Sequence, residues 1–339
     1  MNKKRVLAML LAGAMALSMT ACGGGNSAST DDSSKDGGAS ASGGSYKVSV
    51  ILKTLAAEYW QYVKSGAEDY ASEHSDKVTV EVKGPSSETA FDEMQNMIET
   101  DLSSGTYDGI VISPLQSDTA AQLVSGTKLP IVAIDTNFTA PEVKSFVGTG
   151  NEAAAKKGGE AAVEAAKAAG WTDIKCIEIA GVQGDQTNTA RMNGYKAGVE
   201  EAGGTFLSDE VQYADATADR ATTAMEAIMQ THPEGIAIIC ANNDDMAMAA
   251  ARAAQGHDAY KNTIFLGFNG DRAACEAILA GQMTMSVAQM AYEMGYKAVG
   301  TMVQVLDGET VDEFVDSGSD VVTPDNAQER LDTLKTQLH

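Results

Sequence analysis

The sequence predicts an α/β fold of two doubly wound, parallel-sheet lobes. First, short apolar segments bounded by Gly and Pro alternate with amphipathic segments of helical spacing, as in βαβ units. Second, this alternation restarts near Phe146 and gives too many strands for one comfortable sheet. The length of 339 residues agrees with two domains, since a domain takes roughly 100–200 residues.

The first series of elements starts at Tyr46. Its strands are apolar, β-branched runs, and its helices carry apolar residues three or four positions apart. In chain order we predict a strand at Lys47–Leu52, a helix at Glu58–Glu73, a strand at Val78–Lys83, a helix at Thr89–Ser104, a strand at Gly109–Ser113, a helix at Ser117–Ser125 and a strand at Pro130–Ile134.

The second series repeats the same rhythm and is longer. Its predicted strands are Phe146–Thr149, Lys175–Ala180, Thr205–Tyr213, Gly235–Ala241, Ile264–Phe268 and Thr284–Ala288, with short strands within Val311–Thr323. Its predicted helices are Ala153–Ala169, Thr189–Ala202, Ala218–Gln230, Asp244–Ala254, Asp271–Ala280, Ala291–Leu306 and Ala327–Lys335.

The segment before Tyr46 is predicted to be an export signal followed by a tether. A basic start precedes the apolar stretch Val6–Met19, which is too short for a typical membrane span. The stretch ends in Met19-Thr20-Ala21-Cys22, and small residues before a cysteine are typical of a bacterial lipoprotein signal. We expect residues 1–21 to be removed and residues 22–45 to form a lipidated Cys22 and a flexible Gly/Ser linker. The alternative is an ordinary secretory signal that contains a cysteine.

Charge and cysteine content exclude several classes of protein. The net charge of −23 is opposite to the basic surface of a nucleic-acid binder and disfavours adhesion to anionic lipid headgroups by charge. Four cysteines are too few for a disulfide scaffold. Cys176, Cys240 and Cys275 lie in or beside apolar segments and are expected to be buried free thiols, although one disulfide among them stays open. The spacing of Cys and His indicates no metal site.

Polar residues follow the predicted strands. In open parallel sheets the ligand crevice lies beyond the carboxyl ends of the strands. The residues at these positions are Lys53, Thr54, Ser113, Pro114, Asp135, Gly181, Asn242, Asn243, Asn269 and Gln289. Amides, carboxylates and hydroxyls donate and accept hydrogen bonds, so the set indicates a site for a neutral polar ligand.

Four segments resemble the type 1 substrate-binding proteins of ABC transporters, in particular the ribose- and allose-binding branch. They are Lys53–Trp60, Ala241–Met248, Gly267–Gly270 and Ala280–Gln289, and the resemblance runs in order from Tyr46 to about Asn326. It implies two lobes joined by three hinge strands that close over a ligand. The implied lobes are residues 46–150 plus 290–317 and residues 151–289 plus 318–339.

The same resemblance implies which residues bind the ligand. Tyr59 and Trp60 are similar to the aromatic pair that contacts the sugar faces. Asp135 resembles the carboxylate that accepts ring hydroxyls, and Arg191 the planar donor of the second lobe. The full implied set is Lys53, Tyr59, Trp60, Asp135, Arg191, Asn243, Asn269 and Gln289.

Three positions depart from the family pattern and leave the ligand's identity open. Asn269 stands where the family often has Asp, and Thr136 where it often has Arg. The aromatic residue expected in the second lobe near Asp215–Asp219 is not evident, and Tyr213 lies two residues earlier. A smaller or differently shaped polyol is therefore compatible with the site.

The implied function is that of a monomeric, lipid-anchored receptor outside the bacterial cell membrane. It captures a monosaccharide or polyol and delivers it to a permease, without catalysis, cofactor, metal or nucleic acid. One alternative keeps the fold but binds an inositol, a signalling furanone or a nucleoside. A second is a secreted α/β carbohydrate-active enzyme, which needs two carboxylates flanking its cleft. A regulator of the lactose-repressor type would need a helix-turn-helix where the signal lies.

Overall fold

The computed structural model describes residues 45–338, which carry all the predicted strands and helices. The predicted signal, Cys22 and the linker up to residue 44 lie outside the described residues. The strands are β1 (Tyr46–Ile51), β2 (Val78–Lys83), β3 (Gly109–Ile112), β4 (Ile131–Ile134), β5 (Val143–Gly148), β6 (Lys175–Ala180), β7 (Thr205–Phe206), β8 (Gln212–Tyr213), β9 (Ile238–Ala241), β10 (Ile264–Asn269), β11 (Met285–Gln289), β12 (Phe314–Asp316) and β13 (Ser319–Val322).

Helices connect these strands and cover the sheets. They are α1 (Glu58–Glu73), α2 (Phe91–Ser104), α3 (Ser117–Val124), α4 (Asn151–Ala168), α5 (Gln186–Glu201), α6 (Ala218–Thr231), α7 (Asp244–Ala254), α8 (Arg272–Leu279), α9 (Ala291–Leu306) and α10 (Ala327–Lys335). Among the described residues, none of these helices is both long and apolar enough to cross a membrane.

The strands form two separate sheets. The first has the order β12-β5-β4-β3-β1-β2 and is parallel throughout. The second has the order β13-β11-β10-β9-β6-β7, with β8 also pairing with β6 and with β13 running antiparallel to β11. We call the first sheet with α1, α2, α3 and α9 lobe 1, and the second sheet with the other helices lobe 2. The predicted fold class is confirmed.

The chain passes between the lobes three times within the described residues. The first passage leads from β5 to α4, the second from β11 to α9, and the third from β12 to β13. Each lobe is therefore built from separated segments of chain. The passages bring the carboxyl ends of the two sheets to face one space, which is where the site lies.

The core of lobe 1 depends on a close approach of α1 and α9. A Cβ atom on Gly66 would overlap the carbonyl oxygen of Tyr292, and one on Gly295 would overlap the carbonyl oxygen of Val63. Only glycine allows two backbones to lie this near each other. Strands β3 and β4 are buried along their whole length, as strands covered on both faces are.

The sequence prediction of helices is confirmed most closely for α1, α7, α9 and α10, whose bounds match those predicted. The single strand predicted at Thr205–Tyr213 is wrong. The structure has β7, a 3-10 turn at Ser208–Glu210 and β8 in its place. Ser and Asp favour turns and acidic residues are depleted in strands, so the polar middle interrupts the apolar run.

The three cysteines of the described chain are free and buried, as expected from their apolar surroundings. Cys176 and Cys240 lie on the neighbouring strands β6 and β9, with their Sγ atoms 3.4 Å apart. Cys275 lies on α8.

Candidate binding cleft between the two lobes

A cleft with an empty volume of about 650 Å³ lies where the carboxyl ends of the two sheets face each other. Both lobes line it, together with Gln289 at the passage from β11 to α9. All eight residues of the predicted set line this cleft: Lys53, Tyr59, Trp60, Asp135, Arg191, Asn243, Asn269 and Gln289. Their contact with a ligand stays a prediction.

Asp135 is held in a strained backbone conformation at the end of β4. Its φ of 61° lies in the left-handed region, which non-glycine residues seldom adopt and which is concentrated at functional sites. Its Oδ1 accepts a 2.7 Å hydrogen bond from the Tyr59 hydroxyl, and its Oδ2 accepts one of 3.0 Å from the Thr136 hydroxyl. The carboxylate is thereby fixed in the wall of the cleft.

Tyr59 and Trp60 stand at the start of α1, 4% and 3% exposed. Their rings pack edge to face, with centroids 4.9 Å apart and an angle of 82°. The Trp60 indole N–H donates a 3.0 Å hydrogen bond to Oε1 of Glu88. Burial is the main cause, and the charge of Asp135 the second, of a Tyr59 pKa well above its usual value. The phenol therefore stays a hydrogen-bond donor, and both aromatic residues line the cleft.

Arg191 on α5 is fixed by three contacts. Its Nε donates a 2.8 Å hydrogen bond to Oδ1 of Asn151, and its Nη1 donates one of 2.8 Å to the carbonyl of Asn242. The guanidinium carbon lies 3.9 Å from the centre of the Phe268 ring, a cation–π contact. Within the described part of the chain Nη2 has no protein partner, so its N–H groups remain for a ligand.

Asn243 has two roles at the start of α7. Its side-chain oxygen accepts a 2.9 Å hydrogen bond from the backbone N–H of Met246, which caps the helix. Its side-chain amide donates a 3.1 Å hydrogen bond to the carbonyl of Ala216. Asn243 therefore caps α7 and also lines the cleft.

Asn269 and Gln289 form an amide pair that holds an unsatisfied acceptor. Asn269 has φ 136° and accepts a 3.0 Å hydrogen bond from Nε2 of Gln289, while its own amide donates one of 3.3 Å to Asp271. The Oε1 atom of Gln289 is buried and has no hydrogen-bond partner in the described part of the chain. Buried polar atoms are nearly always paired, so an orphaned acceptor in the cleft wall indicates a place for a ligand donor.

Lys53 connects the lobes across the cleft. Its Nζ lies 2.6 Å from Oδ2 of Asp185, and both side chains are 7% exposed. Burial lowers the pKa of Lys53, but the charges of Asp185, Asp135 and Glu88 and the hydrogen bond to Asp185 together outweigh it, and the pKa is raised. Burial likewise raises the pKa of Asp185, yet the charge and hydrogen bond of Lys53, with the N–H of Asn188 and the charge of Arg191, together hold it below its usual value. Both groups are ionised at neutral pH.

Below the cleft floor lies a buried acid on β6. Glu178 is fully buried, and within residues 45–338 only its Oε1 has a partner, the Asn242 amide at 3.5 Å. Burial raises its pKa to about 8, so the carboxyl is largely protonated at neutral pH. Asn242 itself lines the cleft and also lies 3.4 Å from the carbonyl of Asn188.

Sequence reasoning missed four acidic residues of the cleft lining: Glu88, Asp185, Asp245 and Asp271. Two of them, Glu88 and Asp185, could have been predicted from their positions beside a strand or a helix. Glu88 lies in the loop after β2, at the same sheet edge as Lys53. Asp185 directly precedes α5 and caps it, accepting a 2.8 Å hydrogen bond from the N–H of Asn188. Tyr213, by contrast, is 43% exposed and does not line the cleft, so lobe 2 supplies no aromatic ring from that position.

The cleft's chemistry is that of hydrogen bonding and aromatic packing. In residues 45–338 no group of three or more His, Cys, Asp or Glu side chains is arranged to hold a metal ion. The lining combines aromatic faces, fixed amides and a fixed carboxylate, a combination suited to holding a small polyhydroxylated molecule.

Comparison with known proteins agrees with this architecture. The family described as the periplasmic binding protein domain matches residues 48–310. The D-allose-binding periplasmic protein of Escherichia coli (strain K12) is 30% identical over 265 residues, covering 75% of this chain and 83% of that protein. A solute-binding protein of Mycobacterium smegmatis with bound glycerol has a TM-score of 0.73 at 26% identity, covering 84% of this chain and 96% of that one. A carbohydrate transporter solute-binding protein of Agrobacterium radiobacter, in complex with D-arabinose, has a TM-score of 0.77 at 24% identity, covering 87% and 99%, and shares the fold.

Proposed function

Because the chain belongs to the periplasmic binding protein family, we propose that it captures a small neutral solute between its lobes and delivers it to an ABC permease. The observation that carries the proposal is the cleft lined by fixed polar groups from both lobes. We assign residues 46–150 plus 290–317 to one lobe and residues 151–289 plus 318–339 to the other. The separate sheets of the described residues support this division.

The solute is a monosaccharide or a related polyol. Relatives named for D-allose and ribose, and a related structure with bound glycerol, support this class. The chemistry of the lining agrees. A sugar ring has apolar C–H patches for the faces of Tyr59 and Trp60, and hydroxyls on its edge for Asp135 and Gln289.

Each residue of the predicted set has a proposed role. Asp135 accepts two ligand hydroxyls through the lone pairs that Tyr59 and Thr136 leave unused. Arg191 donates from Nη2, and Oε1 of Gln289 accepts the hydroxyl that satisfies it. Asn243 and Asn269 supply amide groups from lobe 2, and Lys53 approaches from lobe 1.

Closure couples binding to delivery. A solute that contacts both lobes binds the closed form better than the open one, and so shifts the equilibrium toward it. A permease that recognises both lobe surfaces together then receives the loaded protein only. The proposed activity is binding, with no bond made or broken. The comparisons do not favour a carbohydrate-active enzyme or another ligand class.

A thermal-shift screen with pentoses, hexoses, polyols and inositols tests the proposed function. A solute at 100 times its Kd that binds only the folded protein adds about 2.7 kcal/mol, which raises the melting temperature by about 5 °C. Nucleosides and furanones in the same screen test the alternative ligands. A melting temperature that no sugar or polyol changes would contradict the proposal, and release of sugar from common glycosides would indicate an enzyme.

We assign the protein to the outer face of the cell membrane, held by lipid on Cys22. The sequence Met19-Thr20-Ala21-Cys22 supports this assignment. Mass spectrometry of the first mature peptide should find a diacylglycerol-modified Cys22, and the Cys22→Ser variant should leave the membrane fraction. A mature chain that begins elsewhere, with an unmodified Cys22, would indicate an ordinary secretory signal.

A further inference from the structure

We propose that Asp185 is a positioning residue that makes closure of the cleft depend on its ion pair with Lys53, and that the pair thereby excludes anionic solutes. The proposal rests on the proposed function in one respect, that a solute occupies this cleft. It concerns an acidic residue outside the predicted binding set.

The pair joins the two lobes. Lys53 lies two residues after β1 of lobe 1, and Asp185 caps α5 of lobe 2. Their 2.6 Å contact is shielded from water, with each side chain 7% exposed. A buried charge without its partner is strongly unfavourable, so each group needs the other whenever the lobes are closed. When the lobes separate, both groups regain water.

A second contact beside the pair also spans the lobes. The hydroxyls of Thr136 and Thr187 are 2.8 Å apart, and Thr187 lies two residues after Asp185. Both side chains are uncharged, so neither offers Asp185 a second cation at this contact. Neither hydroxyl carries a charge that could replace Asp185 as the ion-pair partner of Lys53.

The two carboxylate oxygens of Asp185 have separate partners. Oδ1 accepts the 2.8 Å hydrogen bond from the N–H of Asn188 that caps α5, and Oδ2 contacts Lys53. Asn is as good a helix cap as Asp. The variant Asp185→Asn therefore keeps the cap and removes the charge, which separates a structural role from the proposed one.

The charge balance of the cleft explains the exclusion of anions. The only Lys or Arg residues in the described lining are Lys53, which pairs with Asp185, and Arg191, whose Nη2 is left for a ligand while Nε and Nη1 contact Asn151 and Asn242. The carboxyl groups of the lining are Glu88, Asp135, Asp185, Asp245 and Asp271. An anionic solute would compete with Asp185 for Lys53 among like charges, whereas a neutral one leaves the pair intact.

The first of two experiments tests the proposal without any ligand. Small-angle X-ray scattering of the ligand-free protein compares wild type, Asp185→Asn, and the double variant Lys53→Met with Asp185→Asn. Asp185→Asn should increase the radius of gyration, because closure then buries an unpaired ammonium. The double variant should return toward the wild-type value. An unchanged radius for Asp185→Asn overturns the proposal, whether or not any sugar binds.

The second arm measures selectivity by isothermal titration at low and high salt. The probes are D-ribose with D-ribose 5-phosphate, and D-galactose with D-galacturonate. Asp185→Asn should raise the ratio of anion to neutral affinity at least tenfold, and more so at low salt. The control Asp245→Asn removes the same charge from the lining without touching Lys53, and should raise that ratio less than threefold.

Equal ratios for the two variants would overturn the proposed exclusion, because general electrostatics would then explain it. The failure of the proposed function gives a different result. In that case no sugar of either charge binds wild type, while the scattering of Asp185→Asn still shows whether the ion pair controls closure.

Discussion

The hydroxyl of Tyr59 donates a 2.7 Å hydrogen bond to Oδ1 of Asp135, and this contact fixes a carboxylate on a strained turn. Both oxygens of Asp135 are therefore oriented before any solute arrives. Groups oriented in advance lose less entropy on binding, which raises affinity. The predictions for Asp135 and Tyr59 follow from this relationship.

Asp135→Asn should weaken sugar binding about 10- to 100-fold, since hydrogen bonds to charged groups contribute about 1.5–3 kcal/mol. Asn keeps the size of the side chain and tolerates the left-handed backbone. Isothermal titration with the solute found by the screen measures the loss. The melting temperature of the ligand-free variant serves as the folding control. An unchanged Kd would remove Asp135 from the proposed site.

Tyr59→Phe should weaken binding by a smaller factor, about 2- to 10-fold, because the lost hydroxyl orients Asp135 and has no assigned contact with the solute itself. The phenyl ring keeps the edge-to-face contact with Trp60. Tyr62→Phe is the matched control on the same helix, since the Tyr62 hydroxyl contacts Glu58 and does not line the cleft. Equal losses in both variants would point to helix α1 as a whole and not to the carboxylate.

Arg191→Lys should reduce affinity tenfold or more although the charge is kept. Lysine lacks the planar fork that reaches Asn151 and stacks on Phe268. Arg220→Lys is the control, since Arg220 is 66% exposed and pairs with Asp215 away from the cleft lining. Titration of both variants with the same sugar separates loss of geometry from loss of charge. Wild-type affinity in Arg191→Lys would show that a positive charge alone suffices.

Glu178→Gln should make the protein more stable at high pH. The pKa of Glu178 is about 8 in the folded protein and about 4.3 when unfolded. Between these values the folded protein holds a proton that the unfolded chain has lost, so stability falls as pH rises through this window.

Urea unfolding at several pH values from 5 to 8 measures the effect of Glu178→Gln. The advantage of the variant should grow by at most about 1.4 kcal/mol per pH unit and be small at pH 5. Gln has nearly the shape of the protonated acid, which limits other effects. Parallel stability curves for the two proteins would contradict the raised pKa.

Gly295→Ala should lower stability by about 1–3 kcal/mol, because overpacking must push helices α1 and α9 apart. Gly150→Ala is the comparison variant, since a Cβ atom there meets open space, its φ is −66° and its cost is that of a weaker N-cap for α4 alone. Thermal unfolding of the two variants measures the difference. Similar melting temperatures would show that the α1–α9 interface can adjust.

The fold class could be predicted from the sequence because the alternation of short apolar runs and amphipathic helices is regular. Residues at or just beyond the carboxyl ends of strands could be predicted for the same reason, as Lys53, Asp135 and Gln289 illustrate. The break between β7 and β8 was missed because the apolar residues around Ser208–Glu210 suggest one continuous strand.

The partners of the site residues could not be read from the sequence. The contact between Lys53 and Asp185 joins positions 132 residues apart in different lobes, and no local pattern encodes such a distance. The orphaned acceptor of Gln289 is likewise a property of packing and not of spacing. Residue types and strand order thus predict where a site lies, while its electrostatics depend on the tertiary structure.

The three passages between the lobes also determine when each sheet can gain its last strand during synthesis. The sheet of lobe 1 starts at Tyr46 but gains its last strand only at Phe314, and the sheet of lobe 2 gains β13 immediately afterwards. A chain emerging from the ribosome therefore completes neither lobe until almost its whole length has been made, although domains generally fold as units during synthesis. A chain cut just after α9 would lack an edge strand in both sheets. Incomplete synthesis or a single proteolytic cut at this point would therefore destabilise both lobes together.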